Sequence, residues 1–182
     1  VDYELLITEQ SRFEEGDVPE DEAAQIIASA ICGDGAKTSE PFTGRCNLYA
    51  VADGVILVNR GAIDHLNQVH ESVTIATLTP FEHVTAGQLL ATVKIIPFAA
   101  TQDTVDICVA LANEANPIAL ARIKPHKPGL VMTTLSGTKD SVLDKTATVL
   151  GARIALLGST LSGERRCAHN EIAIGIAVKD LI

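Results

Sequence analysis

The most restrictive feature of this chain is a pair of prolines around two basic residues, Pro125-His126-Lys127-Pro128. It stands just before an unbroken apolar run at 129–135, GLVMTTL. Proline fixes its own φ and keeps the residue before it out of the helical region, so no helix crosses this stretch. It is predicted to be a stiff, basic connector and the boundary between two domains. The apolar run has the pattern of a strand covered on both faces in a parallel sheet. A polar loop at 136–140 follows. The next segment, 141–157, is expected as an amphipathic helix with Val142, Leu143, Thr146, Val149, Leu150, Ile154 and Leu157 on one side. A strand at 159–167 and a helix at 172–182 complete a β-loop-α-β-α order, the opening of a doubly wound α/β sheet. Two strands and two helices do not close such a sheet. The chain also starts at Val1 and stops inside a predicted helix. The expectation is a piece of a longer protein.

Residues 1–124 are expected to form an α+β accessory domain, and 129–182 the partial α/β domain. In the first, 3–8 (YELLIT) is a predicted strand, followed by a turn at 12–16. Asp17 is expected to cap a helix that carries Pro19, Glu20, Asp21 and Glu22 in its first turn, where acids complement the positive end of the helix dipole. Gly33 or Gly35 is expected to stop it. Strands are predicted within 37–52, at 55–58, at 73–78, over 88–96 and at 118–123, with 82–87 as a loop. Helices are predicted at 59–69, from Ile63, Leu66 and Val69, and after a cap at Asp103 or Thr104.

Charge is strongly uneven. The first 35 residues hold ten acids against Arg12 alone, which equals the whole net charge of −9. From Arg122 onward bases outnumber acids nine to five. A pI near 4.9 argues against non-specific nucleic-acid binding, and aromatics at 3% leave few stacking platforms. No apolar run reaches the ~18 residues of a membrane span, and no secretory leader opens the sequence. The acid cluster at 20–22 has a structural explanation, because carboxylates on successive helical residues point around the axis rather than converging on a cation. Cys32, Cys46, Cys108 and Cys167 are widely spaced, without a C-x-x-C pair. They are expected to be reduced, mostly buried thiols of a cytoplasmic protein.

The loop leaving the predicted strand is the first place where chemistry can sit. Ligands of open α/β sheets bind at the carboxyl ends of the strands. Thr134, Ser136, Gly137 and Lys139 offer hydroxyls, a close backbone approach and one cation, and the N-terminus of the next helix favours phosphate. The loop matches neither the G-x-x-x-x-G-K-[ST] nor the G-x-G-x-x-G pattern, and an ordinary capped strand-to-helix turn reads the same way. Asp144 is a candidate acceptor for a ring amide, and His169 a candidate phosphate partner or acid/base. Of Arg165 and Arg166, on opposite faces of a strand, only one can reach such a site. Thr43-Gly44-Arg45 is a second candidate anion contact. No Ser-His-Asp or Cys-His spacing stands out.

Residues 129–182 resemble the start of a molybdopterin-binding domain of molybdenum-cofactor biosynthesis proteins. The resemblance rests on Gly129-Leu-Val-Met-Thr-Thr-Leu-Ser, Val142-Leu143-Asp144-Lys145-Thr146, Ala152-Arg153-Ile154 with Leu156-Leu157-Gly158, and Glu164-Arg165-Arg166-Cys167-Ala168-His169. Upstream, Pro41-Phe-Thr-Gly-Arg-Cys-Asn-Leu-Tyr-Ala and Ala91-Thr-Val-Lys-Ile-Ile-Pro-Phe-Ala are similar to a bacterial subgroup in which an α/β region precedes the pterin-binding domain. The resemblance implies a parallel sheet flanked by helices. The implied ligand is molybdopterin, with molybdate or Mg-ATP as further ligands of a full-length protein. The implied activity is a molybdopterin adenylyl- or molybdenum-transferase step. It also implies a site at Thr134, Ser136, Gly137 and Lys139, with Asp144 and His169 at its edge. Two departures stand in the sequence. The family's Gly-Gly-Thr-Gly loop follows a third strand, which lies beyond residue 182, and its frequent Pro-Asp is replaced by Ala168-His169-Asn170-Glu171. Two other readings stay open. One is a non-catalytic assembly module for a molybdoenzyme or a cofactor-synthesis partner, using the acidic helix. The other is a generic phosphate- or nucleotide-binding α/β protein. An unfinished sheet edge also suggests a homo-oligomer.

Overall fold

A computed structural model describes residues 16–182. The strand expected at 3–8, and most of the turn expected at 12–16, lie outside the described residues. The molecule is of mixed α/β character, with five helices and four sheets among those residues. It divides into two compact units, one ending at Arg122 and one spanning Ile123–Ile182.

The first unit opens with β1 (Asp17–Pro19), α1 (Glu20–Ile31), β2 (Ala36–Thr38), β3 (Arg45–Ala50) and β4 (Gly54–Val58). It continues with α2 (Arg60–Val69), β5 (Val73–Thr77), β6 (His83–Val84), β7 (Leu89–Ile95), β8 (Ala99–Thr101), α3 (Gln102–Ala115) and β9 (Ile118–Arg122). One antiparallel sheet has the order β2-β3-β7-β5, a second β6-β4-β9, and β1 pairs with β8. α1 buries Ala23, Ala24, Ile27, Ala28 and Ile31, one face at helical spacing, against β3, β7 and α3. Between them lies one apolar cluster that includes Leu48, Ile56, Leu66, Val93, Ile95, Val105 and Cys108.

Three expectations need correction here. Asp17 does not cap α1. Residues Asp17–Pro19 are extended and paired with Ala99–Thr101, and Pro19 takes the cap position without a side-chain bond. The expected loop at 82–87 contains the short strand β6, paired with Gly54 and Val55. The cap of α3 is Thr101, whose hydroxyl accepts from the Thr104 N–H at 3.3 Å, rather than Asp103 or Thr104. Asn59, the first residue of the predicted helix at 59–69, caps α2, with its side chain accepting from the Ala62 N–H. Asn67 on that helix has a further use. It donates to the Ile75 carbonyl and accepts from the Ile75 N–H, so its amide fills the free edge of β5 where another strand would pair.

The second unit contains β10 (Gly129–Thr134), α4 (Asp140–Ala155), β11 (Gly163–Ala168) and α5 (Glu171–Lys179). β10 and β11 are parallel, with Gly129 opposite Gly163 and Thr134 opposite Ala168. A Cβ added at Gly129 or Gly163 would lie 3.0 Å from the side chain of Leu181, so two glycines opposite one another let the end of the chain settle on the strands. The connector is strapped to this unit: the His126 N–H donates to the buried Ser159 hydroxyl, and its carbonyl accepts from Thr160. The expected double burial of β10 is not observed, since only Met132 is buried along it. The expected apolar side of α4 is also largely open. It buries Leu143 alone, while Val142, Val149 and Leu157 are exposed. A strand needs a covering layer on each face to be buried, and two strands with two helices do not supply it. No helix among the described residues is long and apolar enough to cross a membrane.

Candidate functional site

The carboxyl ends of β10 and β11 lie side by side because the strands are parallel and in register. Three backbone and side-chain links join them there. The Thr133 hydroxyl lies 2.9 Å from His169 Nδ1, the His169 N–H donates to the Thr134 carbonyl, and the Thr134 hydroxyl donates to the Cys167 carbonyl. Thr134 and His169, expected at one site from opposite ends of the segment, are thus brought together.

The chain then turns. Leu135 donates its N–H to the Thr138 hydroxyl, and the Thr138 N–H donates back to the Leu135 carbonyl. Gly137 sits at φ 89°, a region that side-chain-bearing residues avoid, so the tight turn requires glycine there. Ser136, Gly137, Thr138 and Lys139 are all exposed. Lys139 occupies the cap position of α4 in extended conformation and gives no side-chain cap. No hydrogen bond described for the chain uses the N–H groups of Lys139, Asp140 or Ser141. Lys139 makes no ion pair among the described residues. The turn therefore presents free donors, a partial positive charge from a sixteen-residue helix and an ammonium group.

Asp144 stands one turn into α4 and is paired within the unit. Its carboxylate lies 2.6 Å from Arg166, which also holds Glu164 at 2.6 Å and faces Asp140 at 3.8 Å. The hydrogen bonds that Arg166 donates to Asp144 and Glu164 raise its already high pKa further. Arg166 is accordingly committed to acids and does not serve as an anion receptor. Arg165, on the other strand face, lies 3.7 Å from Asp180. Sequence reading gave no individual role to Thr133, Thr138 or Glu164. Thr138 was accessible in principle, since Ser and Thr hydroxyls commonly close turns by bonding nearby backbone groups. The strand register that brings Thr133 to His169 has no local signal.

At the second candidate anion contact, Thr43-Gly44-Arg45, two backbone groups are already used within the protein, while Arg45 is exposed. The Gly44 N–H donates to the Asp21 carboxylate at 2.6 Å, and Lys94 donates to the Thr43 carbonyl. The cysteines are unbridged, with Cys46 and Cys108 buried and Cys32 and Cys167 half-buried. Burial pushes the thiols of Cys32 and Cys46 up, and that of Cys108 up to about 11. None of the three is an activated nucleophile. Among the described residues no group of three or more His, Cys, Asp or Glu is placed to hold a metal ion. Comparison with protein-family models, with curated proteins and with solved structures gives no match to this chain.

Proposed function

We propose that the second unit binds the phosphate end of molybdopterin at the 134–139 turn, serving cofactor synthesis or delivery. The carrying observation is the set of N–H groups at 139–141, at the start of α4, that no described residue engages, beside Lys139, which makes no ion pair among the described residues. Phosphate is recognised by such convergent backbone donors at a helix start, with a cation nearby. Ser136 adds a hydroxyl, and Gly137 leaves room for close approach. Thr134 and His169 hold the rim of the turn in place through the links described above. The Arg166 guanidinium offsets the charge of the Asp144 carboxylate. The β-α-β-α order on a parallel pair and the sequence resemblance support the pterin as the ligand class. Molybdopterin, when bound, supplies the dithiolene that carries molybdenum. This chain's residues bind and orient its phosphate. The fit is to the phosphate, so phosphate- or nucleotide-binding of a general kind is the second reading.

The test is a titration of the whole chain with a pterin bearing a phosphate ester, followed by amide NMR. Shifts are expected at 136–141, with binding about tenfold weaker in Lys139→Ala. Unmoved amides at 136–141, or an unchanged affinity in the variant, would sink the assignment. Equal competition by a nucleotide would favour the second reading.

A further inference from the structure

The sheet β2-β3-β7-β5 has two unlike faces. Burial alternates along β3, β5 and most of β7. One face holds Cys46, Leu48, Ile75 and Val93, and α1 packs against it. The other carries Lys37, Arg45, Asn47, Tyr49, Thr92 and Lys94, none of them buried. Residues 16–122 hold thirteen acids and five Lys or Arg residues, yet the only charged residues of these four strands are three of the five bases. Arg45 stands directly opposite Lys94. The ladder hydrogen bond next to them joins Ile95 to Gly44, so Arg45 and Lys94 form a non-hydrogen-bonded pair, the kind in which side chains come closest. Like charges so placed are destabilising. Among the described residues no carboxylate forms an ion pair with Arg45, Lys94 or Lys37. Lys94 donates to the Thr43 carbonyl. Glu20 and Asp21 stand at one rim, beside Gly44, where the Gly44 N–H engages Asp21. Between the cations, Asn47 links Tyr49 and Thr92 in one hydrogen-bonded row.

We propose that this face docks an acidic segment of a partner protein in extended conformation, with carboxylates at Arg45 and Lys94 on one side and at Lys37 on the other. Lys37 pairs with Tyr49, four residues along β3 from Arg45, a separation of about 13 Å at the rise of a strand. An extended segment sets residues four apart at that same spacing and on one face, so acids so placed meet both ends. A short segment senses only charges within the Debye length, about 8 Å at physiological salt, and so meets the cations of the face. A nucleic acid or an anionic bilayer would also meet the surrounding acids of a chain with net charge −9, and one tyrosine offers little stacking.

The experiment titrates the whole chain, at low salt, with a capped eight-residue Thr/Val peptide carrying two glutamates four positions apart. Saturable amide shifts are expected along β2, β3 and β7, fading as salt is added. A peptide of the same composition with adjacent glutamates is expected to bind roughly fivefold more weakly, because successive side chains leave an extended chain on opposite faces. In Lys37→Glu/Arg45→Glu, both at exposed positions, the glutamate peptide is expected to lose roughly tenfold or more in affinity. The same variant is expected to gain binding of a peptide with lysines in place of the two glutamates. An absence of shifts on this face, equal binding of the two spacings, or no gain by the lysine peptide overturns the proposal. So does tighter binding at these strands by oligouridylate or by phosphatidylserine vesicles. The spacing comparison needs no variant, and it decides alone if the double variant unfolds.

Discussion

The two units solve the same burial problem to different degrees. Every member of the main apolar cluster lies between Val18 and Leu120, while the second unit buries only Met132, Leu143 and Ala177 among its apolar residues. The first unit wraps three antiparallel sheets and three helices around side chains such as Ile27, Leu48 and Leu66, each wholly buried. The second sets helices around a two-stranded parallel pair, and much of its apolar surface faces outward. The lesson is that apolar periodicity reports a capacity to be covered. Whether cover arrives depends on how many layers the topology supplies.

The sharpest way to break this comparison is truncation inside each unit. Ile27→Ala leaves a cavity among α1, the sheet and α3, and is expected to cost about 3 kcal/mol in denaturant unfolding. A loss below about 1 kcal/mol would mean that the first unit is looser than its burial indicates. The next effect is alkaline. An unfolded Cys108 thiol ionises near 9.0 and the folded one only near 11, so the unfolded state sheds its proton first. Stability is expected to fall as pH rises from 9 towards 11, by on the order of 2 kcal/mol, and Cys108→Ala should flatten that fall. A smaller effect belongs to Asn67→Ala. It unpairs both backbone groups of Ile75, at an expected cost of about 1–2 kcal/mol, with increased light scattering on storage. The smallest tests the other side of the contrast. Leu156 is 83% exposed, and Leu156→Ala is expected to shift unfolding by less than about 0.5 kcal/mol. A larger shift would show that its surface is covered in solution.

Local signals were legible and distant ones were not. Asn59 before an amphipathic stretch, the acids at the start of α1 and the GVILV run of β4 each carry their cause within a few residues. β1 does not. Asp17 reads as a cap by type, but its backbone pairs with Thr101, more than eighty residues away. The α3 cap lies two or three residues earlier than expected because two adjacent carboxyl and hydroxyl candidates hid a third, Thr101. At the candidate site, the composition of the 134–139 turn and the place of His169 could be read directly. That Asp144 pairs with Arg166 could not, since both partners sit in generic charged sequence twenty-two residues apart.

The amide of Asn67 does the work of a neighbouring strand with one side chain. That makes the finish of the larger sheet chemically perishable. Hydrolysis of this amide to a carboxylate would exchange the donor for a second acceptor and set it against the Ile75 carbonyl. An ageing molecule would thereby acquire an adhesive margin that its freshly made form lacks, without any other covalent change.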